Sequence, residues 1–410
     1  MNLSKKRWVI LAACCVANLC LGSIYAWSVF STSMADYLSG YLGREITSAD
    51  LAIVYTIANS VGPITMISGG WVNDKFGPKK VVLVGGIMFG LGMIISGFGT
   101  SIPFLIVSYG LITGLGLGMA YGSTISTAVK YFPDKRGLIG GIATAVYGLS
   151  SVIISPVIGI VVNASNAPFA FKSIGTVFLI LLVASSFVIE RCPDGFTPDG
   201  WVNPEQQQKK AVTKDKNWKE MLKTPVFYLM IFLLTCGAFS GMMVISQAAG
   251  IAQQMVGMSA MAASTAVSVL ALFNVSGRIV AGYLSDRIGR INTLLLACTF
   301  SVGGLLLLYT ANTEAVTVFY IGISIVGICF GAFMGIFPGF TVDQFGAKYN
   351  SVNYGIMFIG FALAGYFGPS VMRSVYAADG SYQRAFLIAA GLSAVGIVLA
   401  LVCRCVIKKK

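Results

Sequence analysis

The chain has 410 residues, of which 56% are hydrophobic and only 10% charged, with a formal net charge of +13 and a mean hydropathy of +0.82. A soluble domain usually carries about 25% charged residues, so this composition excludes a soluble globular protein and indicates one embedded in a membrane. The chain has no histidine, and its nine cysteines show neither zinc-site spacing nor a disulfide pattern. We therefore expect no metal, no cofactor and no enzymatic activity.

Twelve apolar stretches follow one another along the chain, each long enough to cross a bilayer as a helix of roughly 20 residues. We place them at 8–31, 49–72, 80–99, 103–129, 138–163, 168–190, 225–250, 260–284, 291–311, 315–341, 352–375 and 384–406. The predicted fold class is an all-α polytopic membrane protein with twelve transmembrane helices.

Basic residues are distributed unequally between the two sides of the membrane. The loops on one side hold only Arg44, Lys172, Arg373 and Arg384, and every other Lys or Arg except Arg278 falls on the side of the N-terminus. Because Lys and Arg accumulate on the cytoplasmic side, we predict a multi-pass protein of the cytoplasmic (inner) membrane with both termini in the cytoplasm. The same bias explains the net charge without a nucleic-acid partner.

The longest polar segment, residues 191–224, separates two six-helix halves. We predict an N-terminal half at 1–190, a cytoplasmic linker at 191–224 and a C-terminal half at 225–410. Within the linker, Asn217–Leu222 forms either a short interfacial helix or part of a flexible connection.

The two halves carry the same charged turn at an offset of 212 residues, Gly-x-x-x-Asp-Lys/Arg-x-Gly. Here the chain resembles the major facilitator superfamily, whose signature between the second and third helices has this form. We expect a gating or structural role, in which the glycines allow close helix approach and the aspartate accepts from helix N-terminal amides and pairs with a basic residue across the halves. The residues are Gly70, Asp74, Lys75 and Gly77 in the first half, and Gly282, Asp286, Arg287 and Gly289 in the second.

Three further stretches and one single residue resemble the oxalate/formate antiporter family, which also includes pyruvate- and lactate-type monocarboxylate carriers. The stretches are Gly22–Ser28, Lys130–Gly137 and Asn353–Gly355, and the residue is Arg278. The resemblance runs over nearly the whole chain and implies the major facilitator fold, with the substrate site between the halves at mid-membrane. It also implies a small organic anion as substrate, protons or a counter-anion as coupling partner, and a monomer surrounded by membrane lipids.

Arg278 lies in the apolar part of the eighth stretch, eight residues before Asp286 and so about 12 Å deeper in the membrane. A central arginine costs roughly 2.5–3.5 kcal/mol, and such residues usually face a water-filled path. At the repeat offset Arg278 corresponds to Met66 and Asn274 to Gly62, so neither belongs to the duplicated scaffold. We predict that Arg278 binds a carboxylate through two parallel hydrogen bonds, with Asn274 adding a donor. The alternative is an arginine that snorkels or is capped by carbonyls of a neighbouring helix.

The family resemblance implies further pocket residues. An aromatic cage falls on Tyr25, Tyr121, Tyr147, Phe330 and Phe358, with Met334 where another aromatic can stand. The second cation of oxalate carriers falls on Phe361. Since one fixed positive charge suits one carboxylate and would leave a dianion partly unpaired, we predict a monocarboxylate substrate of the lactate, pyruvate and formate class.

In proton-coupled monocarboxylate carriers an aspartate tends to stand one turn before the arginine, where this chain has Asn274. Asparagine cannot titrate, which favours anion exchange or facilitated diffusion, although the substrate carboxylate could itself carry a proton. We expect secondary transport by alternating access. The alternatives are an oxalate/formate exchanger and a carrier-like membrane receptor that signals through residues 191–224.

Overall fold

The computed structural model describes residues 3–48, 50–201 and 215–408, so residues 202–214 of the predicted linker lie outside the described residues. Within the described part of the chain, twelve helices are long and apolar enough to cross a membrane. They are α1 (Leu3–Leu42), α2 (Ala52–Phe76), α3 (Pro78–Ser96), α4 (Ile102–Tyr131), α5 (Arg136–Ala164), α6 (Ala167–Val188), α7 (Pro225–Met255), α8 (Met261–Ile288), α9 (Arg290–Thr310), α10 (Val316–Phe345), α11 (Asn350–Asp379) and α12 (Gln383–Ile407). The predicted all-α class with twelve transmembrane helices is confirmed.

Helix α1 is longer than the sequence predicts, because it continues past residue 31 to Leu42. The polar residues at this point bond to their own helix: Ser31 and Thr32 donate to the carbonyl of Ser28. Such back-bonding lets Ser and Thr remain in a helix. Met34 is fully buried beyond this point, so packing sustains the added turns.

Several spans contain short irregular turns. Helix α1 includes a 3₁₀ turn at Gly22–Ala26, and wider π turns occur at Ile106–Thr113 in α4 and at Ile251–Met255 in α7. Helix α11 is interrupted at Phe358, after which it resumes at Ile359. Interruptions of this kind often mark functional positions, and two of them contain predicted pocket residues, Tyr25 and Phe358.

The chain folds into two compact units. The first consists of Met1–Asp134, Val146–Asp215 and Gly346–Ile356, and the second of Lys135–Ala145, Lys216–Phe345 and Met357–Lys410. Each unit therefore combines most of one half of the chain with the first turns of one helix from the other half. Those turns belong to α11 in the first unit and to α5 in the second.

An aromatic cluster forms part of the core of the first unit. Phe30 stacks on Phe171 with ring centroids 4.1 Å apart, and Trp27 lies 4.5 Å from Tyr109. Rings of this size remove a large apolar area from the surroundings and pack in defined geometries. The cluster therefore ties α1 to α4 and α6.

Glycines bring α8 and α10 close together in the second unit. A Cβ atom built on Gly327 would lie 2.9 Å from the Leu270 carbonyl oxygen, and one on Gly277 would lie 2.7 Å from the Ile328 Cα atom. Small residues allow membrane helices to approach in this way, as the glycine spacing of α10 suggests. This close contact fixes the part of α8 that carries Arg278.

The segment after the undescribed residues begins with a short helix, Trp218–Leu222. Asn217 accepts from the Glu220 amide at 3.1 Å, while the Glu220 carboxylate accepts from the Asn217 amide at 2.9 Å. This reciprocal pair is a capping box, which satisfies amides at the helix start. Of the two interpretations of Asn217–Leu222, a short helix or a flexible connection, the structure therefore supports the short helix.

Candidate functional site

Arg278 is buried in α8 without an acidic partner. Its exposed fraction is 2%, and none of the ion pairs formed among the described residues includes it. Moving a charge from water into a protein interior costs several kcal/mol, by order of magnitude, unless another group compensates it. The guanidinium is thus the unusual group that the sequence indicates.

Two neutral oxygens hold this guanidinium. Its Nε donates to Asn274 Oδ1 at 3.2 Å, and its Nη1 donates to the main-chain carbonyl of Thr144, on α5, at 2.5 Å. Asn274 contacts Arg278 as the one-turn spacing predicts, but it acts as an acceptor. The Thr144 contact is the carbonyl cap that the sequence left open as an alternative. It satisfies one N–H group and supplies no counter-charge, so no residue in the described part of the chain neutralises the positive charge.

The arrangement leaves a defined set of donors for an anion. Because Nε is committed to Asn274, the edge of Arg278 formed by Nη1 and Nη2 is the one on which a carboxylate can form two parallel bonds. Nη1 carries two N–H groups, so its bond to Thr144 does not use all of its donors. This edge has the geometry that planar oxyanions require, and the binding role of Arg278 stays a prediction.

Three predicted cage residues lie together in the first unit. The ring of Tyr147 is 4.7 Å from that of Tyr121 and 5.2 Å from that of Tyr25, centroid to centroid. Tyr121 and Tyr147 are both buried, and Tyr25 is partly exposed. These three phenols, on α4, α5 and α1, form one aromatic group.

The other predicted cage residues lie in the second unit. Phe361 stacks on Phe358 at 4.6 Å and lies 6.3 Å from Phe330. Met334 is 5% exposed and follows Phe330 by one turn of α10. Phe361, where the family resemblance places a second cation, is thus part of an apolar, aromatic group.

The charged turn of the first unit binds the start of α11. Asp74 accepts from the amides of Ser351 and Val352 at 3.2 and 3.1 Å, and Lys130 Nζ lies 2.9 Å from its carboxylate. A Cβ atom on Gly70 would lie 2.7 Å from the Ser351 carbonyl carbon, so only glycine allows this approach. An anion at a helix N-terminus is favourable because the amides there lack helical partners.

The second unit repeats this arrangement at the start of α5. Asp286 accepts from the amides of Gly137 and Leu138, both at 2.9 Å, and Arg290 Nη1 lies 2.6 Å from it. Arg290 also contacts Asp343 at 2.8 Å, and Arg136 contacts the same carboxylate at 2.7 Å. The predicted acceptance of helix N-terminal amides by both aspartates is thus present in each unit. The basic residue bonded to each aspartate comes from the same half of the chain, and not from across the halves as expected from the sequence.

The basic residue next to each aspartate does not pair with it. Lys75 lies over the Trp71 and Phe76 rings at 5.1 and 5.2 Å, and Arg287 lies 5.2 Å from the centroid of Tyr283. These are cation–π contacts. The last glycine of each turn, Gly77 and Gly289, has φ of +88° and +93° respectively, a conformation that strongly favours glycine. The gating role of the motif stays a prediction.

Sequence reasoning missed several residues that the structure brings to these sites. Lys130, Arg290 and Asp343 complete the charged clusters, and Gly141 and Thr144 lie against Arg278. The four-residue spacing from Gly137 to Gly141 is a signal for close helix packing that could have indicated α5. A main-chain carbonyl such as that of Thr144 leaves no signal in the sequence.

Comparison with known proteins agrees with this architecture. The family model of the Major Facilitator Superfamily matches residues 15–369. The chain is 30% identical to the oxalate:formate antiporter of Oxalobacter formigenes, over 96% of this chain and 90% of that one, and 23% identical to human monocarboxylate transporter 12, over 93% and 77% respectively. A crystal structure of the Escherichia coli fucose:proton symporter, at 15% identity, has the same fold with a TM-score of 0.71 and covers 97% of this chain and 99% of that one. With twelve membrane-spanning helices and a family match over most of its length, the chain is a multi-pass membrane protein that belongs to the Major Facilitator Superfamily.

Proposed function

We propose that the protein is a secondary carrier of small monocarboxylate anions of the lactate, pyruvate and formate class, and not an enzyme. Arg278 binds the substrate carboxylate, and the protein exposes this site to one side of the membrane at a time. The observation that carries the proposal is a buried guanidinium held by two neutral oxygens and by no carboxylate among the described residues. An anionic ligand would supply the missing charge.

Relatives support an organic anion as the substrate class. One relative at 30% identity is named an oxalate:formate antiporter, and another at 23% is named a monocarboxylate transporter. Oxalate, formate and other monocarboxylates share the planar carboxylate that an arginine recognises bidentately. Both names therefore include a carboxylate, the group that Arg278 is proposed to bind. They differ in whether the substrate anion carries one carboxylate or two.

The charge of the site favours one carboxylate over two. Phe361 stacks on Phe358 at the position where oxalate carriers have a second cation. The second carboxylate of oxalate would be left in an apolar environment without a counter-charge, which is costly. Oxalate/formate exchange remains the second candidate, favoured by the relative at 30% identity.

The residues bonded to the arginine support a mode of coupling without a protein carboxylate. The chain has no histidine, and Asn274, which bonds to Arg278, does not ionise. We propose anion exchange or facilitated diffusion as the basic mode. Symport with a proton requires that the substrate carboxylate carry it, and an imposed pH gradient distinguishes these modes.

The test is uptake by purified protein in liposomes. Labelled formate, lactate, pyruvate and oxalate are offered with and without a pH gradient and with each unlabelled acid inside as a counter-anion. We expect saturable uptake of the monocarboxylates and little of oxalate. Oxalate–formate counterflow as the main activity would promote the second candidate, and no uptake of or competition by any small carboxylate would refute both.

A further inference from the structure

Helix α5 touches α8 at Arg278 without an intervening side chain. A Cβ atom built on Gly141 would overlap the main-chain carbonyl oxygen of Arg278 and lie 3.2 Å from the Ile279 Cα atom. Four residues earlier, a Cβ atom on Gly137 would overlap the Gly282 carbonyl oxygen. The first turns of α5 therefore lie directly on the backbone of α8, as small residues allow.

Helix α10 holds the same residue from another side. Cβ atoms on Gly335 and Gly331 would lie 3.0 Å from the Arg278 carbonyl carbon and 2.9 Å from its amide nitrogen, respectively. All of these residues belong to the second unit. The main chain of Arg278 is thus packed by glycines of two helices, with no room for a methyl group on any of them.

The guanidinium of Arg278 bonds to α5 one turn beyond Gly141. Nη1 donates to the Thr144 carbonyl, whereas the Thr144 hydroxyl donates to the Gly140 carbonyl of its own helix at 2.8 Å. The acceptor for Arg278 is therefore main chain. Its distance from Arg278 is set by how closely the two helices approach, which is what Gly141 allows.

We propose that Gly141 is a positioning residue of the carboxylate site. By allowing α5 to lie on α8, it places the Thr144 carbonyl as a fixed acceptor for Arg278 Nη1, while Asn274 fixes Nε. Two acceptors on different nitrogens define the plane of a guanidinium. The long side chain is then ordered before the anion arrives, so binding does not have to immobilise it. This inference rests on the proposed function and adds a determinant of its affinity and selectivity.

The first test is Gly141→Ala in the full chain, reconstituted and assayed with the monocarboxylate that the wild type takes up best. We expect KM to rise roughly tenfold or more, because the variant loses one charge-assisted hydrogen bond. The order of KM values among acids of different length should also change. The matched control is Gly159→Ala on the same helix, where a Cβ atom would have nothing within 4 Å. Its KM should stay within about twofold of the wild type, a typical result for a site without such features.

An amide-to-ester exchange at the bond between Thr144 and Ala145 provides a second variant. It weakens the carbonyl as an acceptor without adding volume, so it applies even where the alanine variant does not fold. The same exchange ahead of Ile160, whose side chain is exposed, is its control. We expect KM to rise in the first ester variant alone.

The possible outcomes separate this inference from the proposed function. Unchanged KM and unchanged ranking in the position-145 ester variant would overturn the positioning role, and so would a folded Gly141→Ala protein in which only the maximal rate falls. If carboxylate uptake persists and requires Arg278 in either case, the proposed function stands. If no carboxylate is transported at all, both fall.

Discussion

Replacing Arg278 is the most direct test of the proposed carboxylate site, because one substitution keeps the positive charge but changes the hydrogen-bonding geometry and another removes the charge. The guanidinium donates through Nε and Nη1 to protein oxygens, and in the proposed function its outer edge binds the anion. Arg278→Lys keeps the charge on a single nitrogen, which cannot hold two protein acceptors and also bind a carboxylate through two parallel bonds. Arg278→Gln removes the charge.

The two variants should differ in size of effect. A hydrogen bond to a charged group contributes about 1.5–3 kcal/mol, so the loss of one in Arg278→Lys should raise KM roughly 10- to 150-fold. Removing one member of a buried ion pair costs about 3–5 kcal/mol, so Arg278→Gln should raise KM more than roughly 100-fold. The thermal stability of the ligand-free protein should not fall in Arg278→Gln, because this substitution removes a buried charge that no described residue compensates. The thermal midpoint of ligand-free Arg278→Gln should equal or exceed that of the wild type.

The assay is initial-rate uptake in proteoliposomes over a range of substrate concentrations, together with thermal unfolding in detergent. Arg384→Gln is the control, since the Arg384 side chain is 72% exposed and the substitution removes an exposed 3.6 Å contact with Asp379. Wild-type KM in both Arg278 variants would refute the site. A lower thermal midpoint with a parallel loss of transport would assign Arg278 a structural role instead.

Three further substitutions probe neighbouring features. Asn274→Asp puts a carboxylate beside Arg278, where unit charges about 4 Å apart attract by about 4 kcal/mol at an effective dielectric of 20, so it should compete with the substrate. Uptake should weaken at neutral and at mildly acidic pH alike, measured against the wild type at each pH, because the same attraction lowers the pKa of the new aspartate and keeps it ionised. Phe361→Lys supplies a second cation and should raise oxalate uptake while lowering that of lactate, measured in the same liposomes. Asp286→Asn weakens the bond to Arg290 and the interaction with the start of α5, which contributes up to about 2 kcal/mol. It should lower the maximal rate of uptake and leave KM within about twofold of the wild type.

Each of these expectations has a contradictory outcome. An Asn274→Asp protein with wild-type uptake at every pH would mean that the residue does not affect the charge of the site. If Phe361→Lys leaves the preference for oxalate unchanged, the inferred position of the second charge is wrong. A large change of KM in Asp286→Asn would show that this residue acts on the carboxylate site, directly or through α5, and not only on the rate of the conformational change.

Much of the fold could be predicted from the sequence because the bilayer restricts the choices. Each apolar stretch of sufficient length must close its backbone hydrogen bonds internally, so it forms a helix. The twelve spans follow from this rule. The end of α1 does not, since Ser31 and Thr32 bond to their own helix and let it continue. The repeated Gly-x-x-x-Asp turns also indicated that their aspartates accept from helix N-terminal amides. The helices that supply those amides, α11 for Asp74 and α5 for Asp286, lie far along the chain and could not be named from the turns.

The partners of those residues were decided by tertiary structure. The sequence alone determined that an arginine lies deep in α8 without an acidic neighbour, since depth and charge can both be counted along a helix. It could not determine that the Thr144 carbonyl accepts from that arginine, because every residue has a carbonyl and only helix packing selects one. Nor could it determine that Lys130 rather than Lys75 pairs with Asp74. Helical geometry is local and repeats every few residues, whereas a contact between helices depends on how closely two backbones approach, and here glycines on separate segments set that distance.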